Sequence, residues 1–154
     1  MASPLLLCVR RSPAPEADGA ATLVTLRLPS DIGCIEEAVE LVVRHCLAGH
    51  PTTRQTRFRL QVVLSEAISN AIVRGNGEDL AKWVEVRAEL LSEEIRVFVS
   101  DEGPGFDPST VPDPIGPEQL DEAGGRGLFL IRKLVDAVQF NPQGNTICMI
   151  LRRP

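Results

Sequence analysis

Polar and apolar positions change their period several times along this chain, and each change marks an element. From Ile32 to Leu47, Ile35, Val39, Val42, Val43 and Cys46 recur at helical spacing. Glu36, Glu37, Glu40 and Arg44 line the opposite face, so the stretch predicts an amphipathic helix. Ser30 or Asp31 can cap it and Gly49-His50-Pro51 breaks it. A second helix starts from a cap at Thr52 or Thr53 and runs to about Arg74, spanning roughly 33 Å at 1.5 Å per residue. Val63, Leu64, Ala67, Ile68, Ala71 and Ile72 form its apolar stripe, and Gly75 ends it. Lys82–Leu91 then alternates strictly, with Val84, Val86, Ala88 and Leu90 on one face. After the turn Ser92-Glu93-Glu94, Ile95, Val97 and Val99 alternate again, which predicts a hairpin. Arg126–Ala137 returns to helical spacing through Leu128, Ile131, Leu134 and Val135. Ala137–Phe140 and Asn145–Leu151 are the last strands, joined at Pro142-Gln143-Gly144. Ala21–Leu28 is an earlier strand, with one more at Leu5–Arg10. The order is an α/β two-layer sandwich, with helices packed on one face of a mixed, mostly antiparallel sheet.

Two stretches carry no such period. Ser12–Ala20 has the composition of a linker, so residues 1–20 are expected to be an N-terminal tail or linker bearing the possible extra strand. Residues 21–154 form the one domain. Phe106–Gly125 holds Pro108, Pro112, Pro114 and Pro117. A loop this long inside a domain is either a working lid, at about 106–125, or a disordered insertion.

Composition narrows the partners. The 154 residues are 44% hydrophobic and 24% charged, which suits a globular domain with a real core. The net charge is −5 and no basic stripe occurs, so nucleic acid is not an expected partner. Cys8, Cys34, Cys46 and Cys148 show no CxxC pairing, and the last three fall in apolar segments, as reduced thiols of a cytoplasmic protein do. The apolar run Leu5–Val9 is too short to span a membrane, and its basic pair Arg10-Arg11 follows it, the reverse of a signal peptide. No membrane association is expected.

The candidate chemistry begins on the second helix. Glu66 and Asn70 interrupt its apolar run four residues apart, so they project from one face. A carboxylate there can accept a proton, and an amide oxygen can hold a hard cation such as Mg2+. Such a pair alone is more often a solvated edge, although Asn in a helix interior needs a reason. Downstream, Asp101 stands at a strand end ahead of Gly103 and Gly105, which permit a tight turn and close approach to a ligand. A carboxylate there can accept a hydrogen bond from an exocyclic amine such as that of adenine. Gly124, Gly125 and Gly127 precede a helix, where bare N–H groups can cradle phosphate. Alone, the first motif is a common turn and the second a common helix entry. The chain holds no GxxxxGK[ST] loop, no HRD-type loop, no HExxH at His45 or His50 and no GxSxG elbow.

Together the three motifs, in this order, resemble the GHKL ATPases built on the Bergerat ATP-binding fold. Glu66-x3-Asn70 is similar to that family's N box, Asp101-Glu-Gly103-Pro-Gly105 to its first glycine box, and Gly125-Arg126-Gly127 to its second. The resemblance covers residues 21–152. It is strongest to the anti-sigma-factor serine kinases of the RsbW and SpoIIAB type, through LSEAISNAIVRGN, DEGPGFDP and GRGLFLIRKLVD. Arg74 stands where many members have His. The resemblance implies a serine/threonine-protein kinase that uses ATP and Mg2+. Glu66 would be the catalytic base, Asn70 would hold the metal and Asp101 the adenine amine. Gly103 and Gly105 would pass beside the base, and Gly125, Arg126 and Gly127 would bind phosphates. Its partners would be a sigma factor, a STAS-domain anti-anti-sigma protein that it phosphorylates, and a second copy in a homodimer. A nucleotide-gated module that sequesters a partner without phosphorylating it is the alternative.

Overall fold

The strict alternation at the centre of the chain becomes strand β3 (Trp83–Leu90), in which Val84, Val86, Ala88 and Leu90 are buried and Glu85 and Arg87 exposed. It pairs with β4 (Glu94–Ser100), whose Ile95, Val97 and Val99 are buried on the same face. The computed structural model describes residues 4–13, 20–48, 53–105, 107 and 125–153. Within them lie four more strands: β1 (Leu6–Pro13), β2 (Ala20–Pro29), β5 (Ala137–Phe140) and β6 (Thr146–Arg152). The six form one sheet in the order β1-β2-β3-β4-β6-β5.

Every described pairing is antiparallel, which sharpens the mixed, mostly antiparallel sheet expected from the sequence. A mixed sheet needs a parallel neighbouring pair, and among the described residues none occurs. β4 and β5 each oppose β6, so they run the same way with β6 between them. The segment expected to be a tail or linker carries β1, which pairs along its length with β2 from Leu6↔Arg27 to Pro13↔Ala20.

The helices are α1 (Ile35–Leu47), α2 (Arg54–Asn70) and α3 (Gly125–Leu134). A short 3-10 turn, Ile32–Cys34, leads into α1, and Asp31 caps it by accepting from the Gly33 N–H at 2.9 Å. Thr53 caps α2 by accepting from the Thr56 N–H at 3.1 Å; the Thr52 alternative lies outside the described residues, as do Gly49-His50-Pro51 and nearly all of the 106–125 segment. All six apolar positions read on α2, Val63 through Ile72, are buried against the sheet, joined by Leu60. On α1 the acidic face stays exposed, with Glu40 pairing with Arg44 at 2.8 Å. Arg59 donates from Nε to the Leu134 carbonyl and lies 3.5 Å from Asp136, tying α2 to the end of α3. Cys34 and Cys46 are buried, Cys148 is half-buried and Cys8 exposed, all as free thiols. Among the described residues no helix is long and apolar enough to cross a membrane.

One departure matters for the site. The α-helical bonding of α2 stops at Asn70, and Ala71–Gly75 continues as a single π turn. The Asn76 N–H reaches back five residues to the Ala71 carbonyl at 2.8 Å. Wide turns of this kind cluster at functional sites, and this one swings residues 74–76 towards the end of β4.

Candidate functional site

Four elements meet where α2 widens: the end of α2, the start of α3, the residues after β4 and the turn between β5 and β6. They enclose a cavity of about 340 Å3, within the range of small-ligand sites. Its walls are apolar where Ala71, Val99, Leu128 and Ile131 face it, and polar at Asn70, Arg74, Asp101 and Asn145.

Asp101 sits at one end, half-buried, and the chain around it is tied down atom by atom. Its own N–H donates to the Asn145 carbonyl at 2.9 Å. Its Oδ1 accepts from the Gly103 N–H at 2.8 Å, and the Asn145 side-chain amide donates to the Gly103 carbonyl at 3.4 Å. The glycines are required by close approach. A Cβ on Gly75 would stand 2.3 Å from the Asp101 carboxyl carbon, and one on Gly103 would stand 2.0 Å from the Gly75 carbonyl oxygen. Gly75 ends the helical stretch as expected, though its φ is not positive. The structure gives the different reason that Asp101 packs onto its bare Cα. Gly105 combines φ +79° with a Cβ position 1.8 Å from the Gln143 carbonyl.

Burial pushes the Asp101 carboxyl above the ordinary aspartate range, opposed by the Gly103 N–H and by Lys82. A carboxyl raised by folding favours the folded chain below its unfolded value, and that contribution is lost as pH rises through the folded value. Asp101→Asn should therefore stabilise the ligand-free chain at neutral pH. The gain should shrink as pH falls towards about 3.9, and thermal melts of both proteins across this range check it.

Asn70 also lines the cavity, and Glu66 stands one turn before it on α2, both half-buried. They meet Gly127 of α3: a Cβ there would come within 2.9 Å of Glu66 Oε2 and 3.0 Å of Asn70 Nδ2. Gly127 is therefore what lets the first turn of α3 close over the pair. Gly125 opens α3; the Arg126 side chain lies outside the described residues. One carboxylate and one amide oxygen suit a hard cation that arrives with oxygens of its own. Among the described residues no three His, Cys, Asp or Glu side chains gather to hold a metal unaided.

Of the expected site residues, Asn70, Asp101 and Gly105 line the cavity; Gly103 packs against Gly75 and Asp101, and Gly127 against Glu66 and Asn70. The sequence reading gave no part to Asn76, Asn141 or Asn145. Asn141 closes the β5–β6 turn by accepting from the N–H groups of Asn145 and Thr146 at 3.0 and 3.1 Å. The signal in the sequence is Asn76 and Asn145 beside Gly and Asn141 before Pro142, which marks turns and not what the turns hold.

Comparison with known proteins agrees with this geometry. A family model described as the histidine kinase-like ATPase domain matches residues 28–151. The serine-protein kinase RsbW of Staphylococcus aureus, in strains JH9 and Newman, is 35% identical over 97 residues, covering 58% of this chain and 61% of that protein. The chain therefore spans about three fifths of the length of these curated relatives. A match over most of the chain assigns it: the chain belongs to the histidine kinase-like ATPase domain family, as its GHKL motifs led one to expect.

Proposed function

We propose that the chain is an ATP-dependent serine/threonine-protein kinase and anti-sigma factor of a partner-switching pathway, which phosphorylates a STAS-domain antagonist of its sigma factor. The observation that carries this reading is that Asn70 and Asp101 line one cavity while Gly127 of α3 packs against Asn70 and Glu66. The relative's printed name, serine-protein kinase, supports it.

In this reading the Asp101 carboxylate accepts from the adenine amine. The N–H groups at the start of α3, from Gly125 to Gly127, bind phosphate oxygens, aided by the helix dipole. Arg126 adds positive charge there. Asn70 would hold Mg2+, which would supply positive charge against that of the phosphates. Glu66 accepts the proton of the partner's serine hydroxyl as that oxygen bonds to the γ-phosphorus and the bond to ADP breaks. Chemistry of this type rests on positioning and charge neutralisation, so two side chains and a turn of backbone suffice. The 106–125 segment would act as the lid of a domain covering residues 21–154.

The reading extends to a homodimer in the cytoplasm. β1 is a sheet edge with Leu7 37% and Val9 45% exposed, and an open apolar edge favours association. Four cysteines without a disulfide suit a reducing compartment.

Incubation with labelled ATP and a candidate STAS-domain antagonist tests the proposal. Label on a serine of the antagonist is expected, with release of the sigma factor by the unphosphorylated form. Complex formation without label would replace the kinase by a nucleotide-gated binding module.

A further inference from the structure

Asn76 is 3% exposed and polar. It lies just past the π turn, and every hydrogen-bonding atom of its side chain is used. Oδ1 accepts from the Glu102 N–H at 2.8 Å. Nδ2 donates to Ser30 Oγ at 2.9 Å and to the Trp83 carbonyl at 3.1 Å. The orientation of the amide is fixed by chemistry, because a backbone N–H only donates and a backbone carbonyl only accepts. Ser30, itself buried, passes the connection on by donating to the Lys82 carbonyl at 2.8 Å.

We infer that Asn76 is a positioning residue for base recognition: its buried amide ties the turn after Asp101 to the end of α2, to Ser30 and to β3, and so fixes where the Asp101 carboxylate meets a purine amine. This rests on the adenine reading given above. The peptide on the N-terminal side of Asp101 is held by the Asn145 carbonyl. On the C-terminal side the Glu102 N–H is held by Asn76, while the Glu102 carboxylate accepts from the Trp83 N–H at 2.5 Å. Through these bonds the Asn76 side chain joins the turn, β3 and Ser30 together. Without it the Glu102 N–H loses its partner inside the fold, and the turn relaxes towards water with Asp101 on it.

The experiment compares ATP with purine riboside triphosphate, which lacks only the exocyclic amine. The unmodified chain should prefer ATP by about tenfold to a hundredfold, the worth of one charge-assisted hydrogen bond. Asn76→Ala should bring that ratio to within about threefold of one while leaving the ratio of ADP to AMP affinity unchanged. A purely structural role would lower the melting temperature and keep the ATP preference. Should Asn76→Ala not fold, Asn76→Ser, which keeps a polar group but shortens the reach to the Glu102 N–H, should reduce the preference several-fold. A full preference in either folded variant overturns the inference. A ratio of one in the unmodified chain overturns the adenine reading itself, which is a separable outcome.

Discussion

Glu66→Gln should bind ATP as the unmodified chain does and lose phosphoryl transfer by a factor of about 10²–10⁴, the usual contribution of a positioned general base. The substitution keeps the length of the side chain and one oxygen, so the contact with Gly127 persists. What it removes is the second carboxylate oxygen's ability to take a proton. Binding should persist because the adenine and phosphate contacts are assigned to Asp101 and the start of α3 and do not involve Glu66, which is not among the residues lining the cavity. Nucleotide titration together with transfer of labelled phosphate to the antagonist separates the two effects. Undiminished transfer would remove Glu66 from its role, and loss of binding would mean that it holds the fold instead.

The second large effect is expected at Gly105. Alanine there would carry its Cβ into the Gln143 carbonyl at 1.8 Å on a backbone of φ +79°. The left-handed backbone costs about 1–2 kcal/mol, and forcing two chains apart adds about 1–3 kcal/mol. A loss of about 2–5 kcal/mol corresponds to roughly 4–20 °C in melting temperature for a chain of this size. The turns after β4 and between β5 and β6 would separate, so nucleotide affinity should fall as well. Gly77 is the control: its φ is +62°, but a Cβ there meets nothing within 4 Å. Gly77→Ala should show the backbone cost alone and leave affinity intact. Equal losses in the two variants, read by thermal melts and titration, would contradict this account of Gly105.

These contrasts mark what the sequence could and could not convey. The stripe of α2 and the alternation of β3 and β4 were legible because burial on one face repeats with the local period, and Val63, Ile72, Val86 and Val97 lie where that period put them. The three motifs were legible as pieces because glycine and carboxylate spacing is local. What joins the pieces is not. Gly75 carries an ordinary stop signal, yet its missing side chain makes room for Asp101, far along the chain and two strands away. Asn76 bonds residues 26 and 46 positions distant, so no window on the sequence contains its reason. The π turn that presents it follows from packing, since Ala71 and Ile72 continue the helical stripe without a break. The all-antiparallel pairing depends on β6 entering between β4 and β5, which periodicity does not encode.

The central claim is that one cavity receives a nucleotide with its base at Asp101, its metal at Asn70 and its phosphates at the first turn of α3. A crystal structure of the chain with Mg2+ and a non-hydrolysable ATP analogue tests it most directly. The account predicts the adenine amine within hydrogen-bond distance of the Asp101 carboxylate, the metal on Asn70 and the γ-phosphate beside Glu66. A nucleotide bound elsewhere, or bound here with its base away from Asp101, would contradict it.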